Sequence, residues 1–326
     1  MKAIQCVQWG GPEKLQLSEC PLPSPAAGEV RIRVDAAGVN FPDALIIQKK
    51  YQLQPPLPFT PGTEVAGTVD AVGEGVGRLK AGDRVVAFVG IGGFAEYVCA
   101  AQAQVAPMPP GVDAAVAAGF TLTYATSQHA LVERGQLKAG ETLLVLGAGG
   151  GVGLAAVELG KLAGARVIAA ASSPEKLDAA RRAGADELID YSQADLREAV
   201  KAMTDGRGVD VVYDPVGGQY TAAALRTLGW RGRLLVIGFA AGDIPKIPLN
   251  LPLLMERSIV GVYWGEWTKR APGEFAAAVR QLGAWFAEGK LRPHISATYP
   301  LADAARAIRD MAERRVMGKV VLLTDA

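Results

Sequence analysis

Residues 142–157 read TLLVLGAGGGVGLAAV, an apolar run that enters a glycine-rich turn and continues as a second apolar stretch. The residues before Gly147 have the composition of a buried strand, and those after Gly150 begin a helical pattern. Glycines at such a turn let backbone approach a bound phosphate, and the helix start supplies free N–H groups and partial positive charge. The stretch predicts a dinucleotide-binding turn, with a purely structural tight turn as the alternative.

The glycine spacing departs from the usual GxGxxG fingerprint at one position. Aligned on its last glycine, the turn reads Ala148-x-Gly150-x-x-Gly153, so alanine replaces the first glycine. Gly150 is expected to admit the pyrophosphate, and Gly153 to allow close packing of helix on strand. The residues predicted to bind the cofactor here are Ala148, Gly149, Gly150, Gly151, Val152 and Gly153.

The pattern around this turn divides the chain into three segments. Residues 1–121 hold short β-branched runs separated by turn signals, which predicts a mainly β unit. Residues 122–260 alternate strands with helices, which predicts a doubly wound α/β domain with a parallel sheet. Residues 261–326 hold two amphipathic helices and a final strand, and are expected to return to the first unit.

The strand after the glycine turn ends at VIAAASSPEKL (167–177), where no carboxylate is present. An Asp or Glu there would accept hydrogen bonds from the ribose of NAD and repel a 2′-phosphate. Ser172 and Ser173 offer hydroxyl donors instead, and Lys176 follows one helical turn later, so NADPH is the predicted cofactor. The alternative interpretation is a Ser173 N-cap with Lys176 solvated.

Composition excludes several classes of function. The 326 residues carry a net charge of +1 and show no basic, aromatic-rich stripe, which argues against nucleic-acid binding. Three scattered cysteines indicate neither a disulfide framework nor a zinc cluster, and they fit a reducing cytoplasm. The longest apolar stretch, 142–157, is interrupted by glycines and is a poor membrane span.

Four segments together resemble the medium-chain dehydrogenase/reductase superfamily, and most closely its zinc-free NADPH:quinone oxidoreductases of the zeta-crystallin type. The resemblance implies a GroES-like catalytic domain built from 1–121 and 261–326, a Rossmann domain at 122–260, and a homodimer formed through an edge strand such as 258–264. The segments are AAGVNFPDALIIQKKYQLQPPLPFTPGTEVAGTV (36–69), GGFAEYV (92–98), LGAGGGVGLAAVELGKLAGARVIAAASSPEKL (146–177) and VDVVYDPVGG (209–218).

The resemblance also bears on metal chemistry. Zinc alcohol dehydrogenases of the superfamily use a cysteine shortly after AAGV and a histidine in a GHE motif, where this chain has Asn40 and Thr63. The two histidines, His129 and His294, have no cysteine partners nearby in sequence. A zinc-independent enzyme is therefore expected, and without a Lewis acid hydride addition to a quinone or enone is favoured over alcohol oxidation.

The resemblance further implies a set of residues around the substrate. Asn40 would lie beside the nicotinamide and donate to a developing oxyanion, although it could instead tie down its own loop. Asp43 would orient that loop and Tyr51 would line the pocket. Leu45 stands where relatives often carry tyrosine, which excludes a tyrosine proton donor there. Tyr124 is expected either in the substrate pocket or buried at a domain junction.

More cofactor contacts are expected at the ends of later strands. Tyr191 resembles a family tyrosine that packs near the adenosine 2′-phosphate. The ends of the fourth and fifth strands should meet the nicotinamide, unless their glycines are ordinary turn residues. These residues are Gly217, Gly238 and Phe239.

The leading hypothesis is a cytoplasmic, homodimeric NADPH:quinone oxidoreductase that reduces a small electrophile by hydride or electron transfer from the nicotinamide. One alternative keeps the hydride chemistry and changes the acceptor to a 2-alkenal, an enone or an enoyl-CoA. Another is an NADPH-binding protein with a non-enzymatic role, in RNA binding or as a structural protein. No membrane partner is expected.

Overall fold

The computed structural model describes residues 1–325 and contains two compact units. The first comprises residues 1–122 and the chain from Pro293 onward, and the second comprises Thr123–Arg292. The segment 261–292 therefore lies in the second unit, whereas the sequence pattern places it with the returning tail. The reason is local, since Ser258–Gly261 pairs with the preceding strand and Trp267 stacks on His129.

The first unit is mainly β, as predicted. Its elements before residue 120 are β1 (Lys2–Cys6), β2 (Leu15–Glu19), β3 (Glu29–Val39), α1 (Phe41–Ile46), β4 (Glu64–Val72), β5 (Arg84–Phe88), β6 (Tyr97–Ala101), β7 (Val105–Pro107) and α2 (Ala114–Ala118).

The second unit alternates helices and strands. Its elements are α3 (Thr121–Gln128), which begins at the unit boundary, then β8 (Thr142–Leu146), α4 (Gly151–Leu162), β9 (Arg166–Ala171), α5 (Pro174–Arg182), β10 (Glu187–Asp190), α6 (Leu196–Met203), β11 (Val209–Asp214), α7 (Gly218–Thr227), β12 (Leu228–Val236), α8 (Asn250–Leu253), β13 (Ser258–Gly261), α9 (Trp264–Arg270) and α10 (Pro272–Ala287). A π-helical turn, His129–Arg134, continues α3.

The tail adds three elements to the first unit: β14 (Ile295–Pro300), α11 (Ala304–Ala312) and β15 (Lys319–Leu323). Its sheet runs β14-β15-β3-β4-β5-β7, with β6 also paired to β3. β15 pairs antiparallel with β3, so Val320 faces Val39. The predicted return of the last strand is confirmed, because β15 pairs with β3 although Val320 and Val39 are 281 positions apart in the chain.

The second unit holds a six-stranded, fully parallel sheet in the order β10-β9-β8-β11-β12-β13. Its central strands β8, β9 and β11 are almost entirely buried, as expected when helices cover both faces. The strand order reverses between β8 and β11, and in such sheets ligands bind outside the carboxyl ends of the strands at this point. The predicted doubly wound fold is confirmed. No helix within residues 1–325 is long and apolar enough to cross a membrane.

Candidate functional site

The glycine turn joins β8 to α4 and requires glycine at defined positions. Gly147 adopts φ 57°, and Gly150 caps the amino end of α4. A Cβ on Gly153 would overlap the Gly147 carbonyl oxygen and come within 2.8 Å of the Ala148 Cα. The helix is therefore packed directly on the turn, which is the close approach predicted for Gly153.

A second helix start lies against the same turn. A Cβ on Gly149 would come within 2.6 Å of the Lys176 Cβ, so the first turn of α5 packs on the glycine turn. The Lys176 ammonium donates to the Ser172 hydroxyl at 3.5 Å, and the Lys176 backbone N–H donates to the Ser173 hydroxyl at 3.4 Å. The structure thus brings together the three residues predicted to bind a 2′-phosphate.

Two carboxylates that the sequence pattern did not point to, Glu175 and Asp190, lie near this group. The Ser173 side chain hydrogen-bonds the Glu175 carboxyl and lowers its pKa, while the nearby Asp190 opposes that shift. The Ser173 side chain also accepts from the Lys176 backbone N–H, so Ser173 acts as the N-cap of α5, as in the alternative interpretation. Ser172 and Lys176 are left as the groups best suited to an anion.

Tyr191 follows β10 and reaches the end of β9. Its backbone N–H donates to the Ala171 carbonyl at 3.1 Å, which places it next to the Ser172 segment. Its ring packs on that of Tyr220, with centroids 4.6 Å apart and planes tilted by 44°. Tyr220 lies in α7 and was not predicted, because no short-range pattern links residue 220 to residue 191.

The ends of β11 and β12 meet at a second glycine turn. Gly217 has φ 72°, and a Cβ there would lie 2.8 Å from the Phe239 ring. Asp214 holds this turn, since its carboxylate accepts from the Val216 and Gly217 N–H groups at 2.9 Å and from the Thr221 hydroxyl at 2.6 Å. Gly217 and Phe239 thus meet beside the topological switch point. Gly238 lies there too, since its backbone N–H donates to the Asp214 carbonyl. Their contact with nicotinamide stays a prediction.

In the first unit, Asn40 belongs to a buried polar network. Its Nδ2 donates to the Glu64 Oε1 at 2.9 Å and to the Thr63 Oγ1 at 3.1 Å, and its Oδ1 accepts from the Lys319 Nζ at 2.6 Å. Lys319 also pairs with Glu64 at 2.8 Å. Both amide hydrogens of Asn40 therefore have internal acceptors, which favours the interpretation that Asn40 ties down its own loop.

Asp43 and Tyr51 occupy the same region. The Asn40 backbone N–H donates to the Asp43 carboxylate at 2.7 Å, so Asp43 closes the first turn of α1 as expected for a loop-orienting residue. Complete burial raises the pKa of Asp43 to about 7, against the lowering effects of the Asn40 N–H and the Lys319 charge. Tyr51 is half-buried and packs against the core of this unit. Its place in a substrate pocket stays a prediction.

Tyr124 is buried inside the second unit, with 3% of its surface exposed. Its hydroxyl donates to the Glu158 carboxylate at 2.7 Å, and that carboxylate also accepts from the Arg292 N–H. Burial raises the pKa of Glu158, and burial together with the Glu158 charge raises that of Tyr124. The contact supports the buried, structural alternative rather than a role in the substrate pocket.

The two histidines lie in different units. His129 is buried and stacks on Trp267, with centroids 4.2 Å apart, and its pKa is lowered mainly by burial. His294 is exposed, and its carbonyl accepts from the Lys319 N–H. Among residues 1–325 no three His, Cys, Asp or Glu side chains cluster as metal ligands would.

Two segments of the chain match known protein families. Residues 26–110 match the family model described as an alcohol dehydrogenase GroES-like domain, and residues 151–284 match that of a zinc-binding dehydrogenase. These segments lie in the first and second units respectively. Each part of the chain is therefore similar to a dehydrogenase domain.

Proteins similar to the whole chain are named quinone oxidoreductases or quinone oxidoreductase-like proteins. A quinone oxidoreductase of Pseudomonas aeruginosa is 37% identical over 328 residues, covering 99% of each chain. A quinone oxidoreductase-like protein 2 homolog of Nematostella vectensis is 36% identical over 326 residues, covering 99% of this chain and 89% of the relative. The crystal structure of Escherichia coli quinone oxidoreductase complexed with NADPH aligns with a TM-score of 0.94 at 31% identity, covering 99% of this chain and 100% of the other.

Proposed function

Because the chain belongs to the medium-chain dehydrogenase/reductase superfamily, in its quinone oxidoreductase group, we propose that it is an NADPH-dependent oxidoreductase that reduces a quinone. The observation that carries the proposal is the meeting of two helix starts at one turn. α4 begins at Gly150, and Lys176 of α5 packs on Gly149 beside Ser172. The arrangement supports binding of a pyrophosphate at the start of α4 and of a 2′-phosphate at the neighbouring cation and hydroxyl.

The residues fit NADPH better than NADH. No carboxylate ends β9, and the Lys176 ammonium has only a 3.5 Å hydrogen bond to Ser172, which a phosphate oxygen can replace. The Tyr191 backbone N–H donates to the Ala171 carbonyl, which anchors the residue beside the segment that carries Ser172. When bound, NADPH supplies the hydride. The glycine turn, Ser172, Lys176 and Tyr191 are the residues that would hold it.

The quinone is proposed from the named activities of relatives 36–37% identical to this chain over 99% of its length. Reduction adds a hydride to the quinone and leaves negative charge on an oxygen, which solvent then protonates to give the hydroquinone. The task of the protein is to bind and orient the acceptor and to stabilise that oxygen. An enone or enoyl-CoA places the same demand on the protein, so the acceptor must be established by assay.

We propose that the reaction needs no zinc, although one matching family model is described as zinc-binding. Asn40 and Thr63 offer an amide and a hydroxyl rather than thiolate and imidazole ligands. The Asn40 Oδ1 already accepts from the Lys319 ammonium at 2.6 Å, and a metal bound to that oxygen would have to displace the lysine. Metal analysis of the active protein, together with activity after chelator treatment, tests this point.

The decisive experiment measures NADPH and NADH oxidation with a panel of acceptors: 1,4-benzoquinone, a 1,4-naphthoquinone, a 2-alkenal, a cyclic enone and an enoyl-CoA. We expect quinone turnover with NADPH preferred over NADH. Turnover of an enone or enoyl-CoA alone would replace the quinone in the proposal. Cofactor binding without any turnover would favour a non-enzymatic role, and tighter binding of NADH would refute the assigned 2′-phosphate site.

We also propose a homodimer formed through the edge of the second unit. β13 is the last strand of the sheet, and Ile259 on it is 43% exposed. The segment before it exposes more large apolar side chains, Ile244, Leu249, Leu253 and Leu254. An open strand edge beside exposed leucines suits a second copy related by a two-fold axis.

Sedimentation of the wild type and of a Leu253→Lys/Leu254→Lys variant tests the dimer. We expect a dimer for the wild type and dissociation for the variant, whereas Leu22→Lys, at an exposed leucine of the first unit, should remain dimeric. A wild-type monomer at micromolar concentration would refute the proposal.

The cytoplasm is the proposed compartment, in keeping with three free cysteines.

A further inference from the structure

The buried network around Asn40 has a direction that its chemistry imposes. Lys319 Nζ can only donate and the Glu64 carboxylate can only accept, so Asn40 must turn its Oδ1 to the lysine and its Nδ2 to the glutamate. The second Nδ2 hydrogen is shared between the Thr63 Oγ1 at 3.1 Å and the Gly38 carbonyl oxygen at 3.3 Å, and the hydroxyl oxygen is the nearer acceptor. Thr63 is thus an acceptor within this network.

The Lys319 ammonium and the Glu64 carboxylate are both engaged within the network. The Lys319 ammonium donates to the Val39 carbonyl, Asn40 Oδ1 and Glu64 Oε1 at 3.2, 2.6 and 2.8 Å. The second Glu64 oxygen accepts from the Leu122 N–H at 2.8 Å. All three ammonium hydrogens and both carboxylate oxygens are therefore used.

The Thr63 hydroxyl hydrogen is the exception. Thr63 is 5% exposed, and its oxygen already accepts from Asn40, so its own hydrogen must point elsewhere. Within residues 1–325 no group accepts that hydrogen. A buried donor without an acceptor costs about 1–3 kcal/mol, so a ligand that supplies the acceptor gains that much.

The chain of bonds behind Thr63 strengthens this donor. The Lys319 charge polarises the Asn40 amide, which in turn donates to the Thr63 oxygen and makes the hydroxyl a better donor. A cation is thereby linked to Thr63 through the Asn40 amide. Glu64 balances the Lys319 charge, so what the network offers a ligand oxygen is the polarised Thr63 hydroxyl rather than a net positive charge.

We propose that the Thr63 hydroxyl is a catalytic hydrogen-bond donor that binds the substrate oxygen on which negative charge develops during reduction, with Asn40 and Lys319 as positioning residues. The proposal rests on the proposed function, since it assigns a donor to the quinone. Thr63 donates a hydrogen bond and transfers no proton. The hydride comes from NADPH, the proton comes from water, and the products are NADP⁺ and the hydroquinone.

The test compares Thr63→Val, which keeps the shape and removes the hydroxyl, with Thr63→Ser, which restores it. Thr60→Val is the matched control, because the Thr60 hydroxyl accepts from Gln5 at 2.5 Å outside this network. Loss of one oxyanion donor lowers kcat by about 100-fold or more. We expect that loss in Thr63→Val with the KM for NADPH unchanged, and activity near wild type in Thr63→Ser and Thr60→Val.

A second readout does not require turnover. 4-Nitrophenolate, an anionic analogue of the hydroquinone product, is titrated by its absorbance into each variant, with and without NADP⁺. Loss of a hydrogen bond to a charged acceptor should weaken its binding about tenfold or more in Thr63→Val and leave Thr63→Ser nearly unchanged. Thermal melting of each variant shows whether it remains folded.

The outcomes separate the two proposals. Equal phenolate binding by Thr63→Val and wild type, or equal losses in Thr63→Val and Thr60→Val, would overturn the assignment of Thr63. If the wild type reduces no quinone but binds phenolate through Thr63, the proposed function fails and the donor stands. A Thr63→Val variant that binds NADPH normally and loses only quinone reduction supports both.

Discussion

Replacing Lys319 by methionine tests the buried ion pair that supports the Asn40 loop. Lys319 is 5% exposed and Glu64 1%, so the variant leaves a buried carboxylate that keeps only the Asn40 and Leu122 N–H donors. Breaking one side of such a pair costs about 3–5 kcal/mol. This is a large part of the 5–15 kcal/mol that stabilises a typical protein.

Native-state hydrogen exchange reports this loss for the first unit alone, which matters because a two-unit chain need not unfold in one step. The relevant amides are in the β3–β15 ladder, where Val39 faces Val320. At 1.36 kcal/mol per factor of ten, we expect their exchange to accelerate by between about 100-fold and 5000-fold. Amides of the second unit should change little.

Two further variants complete this experiment. Glu64→Gln combined with Lys319→Met removes both charges and should recover most of the lost stability, since a neutral replacement of a buried pair is often tolerated. Lys290→Met breaks an exposed pair with Glu288, both side chains being 51% exposed, and should cost less than about 1 kcal/mol. If Lys319→Met costs no more than Lys290→Met, or if the double variant is worse than the single one, the reasoning is wrong.

Three other predictions concern single residues. The pKa of Asp43 is raised from 3.8 to about 7, so its contribution to stability is greatest at low pH and is lost as the pH rises from about 4 to 7. The melting temperature of Asp43→Asn should therefore rise relative to that of the wild type across that window. A constant difference between the two melting temperatures would contradict this. Glu175→Gln removes a negative charge beside Ser173 and should tighten NADPH binding more than NADH binding in fluorescence titrations, whereas an equal change in both would refute the phosphate assignment. Gly153→Ala places a methyl group on the Gly147 carbonyl and should weaken NADPH binding and lower the melting temperature, while Gly283→Ala, which meets open space in a helix, should be neutral or stabilising by about 0.5–1 kcal/mol.

The local pattern was sufficient to predict the fold of the second unit. Apolar runs alternating with helical stretches specify a parallel sheet, and the glycine spacing at 147–153 specifies where its first turn lies. The sequence also identified Ser172 and Lys176 at the helix start after β9, and the family resemblance added Tyr191; the carboxyl ends of parallel strands meet at one edge of the sheet. The structure places them together for that reason.

The boundary at residue 260 could not be predicted in the same way. Whether the segment 261–292 joins one unit or the other depends on contacts such as the Trp267 stack on His129, which leave no periodic signal. The same holds for the partner of Tyr124. Its hydroxyl donates to Glu158, 34 residues away, and this contact within the second unit favours a buried structural residue over a pocket residue.

The sequence by itself determined the fold class, the family resemblance and the cofactor group, because these depend on residue types at short, regular spacing. Only the tertiary structure decided which hydrogen bonds Asn40 and Thr63 make. Lys319 lies 279 residues from Asn40 and reaches it because β15 pairs with β3. A long-range pairing of this kind determines which hydrogen bonds Asn40 makes, and hence which hydroxyl is left to donate.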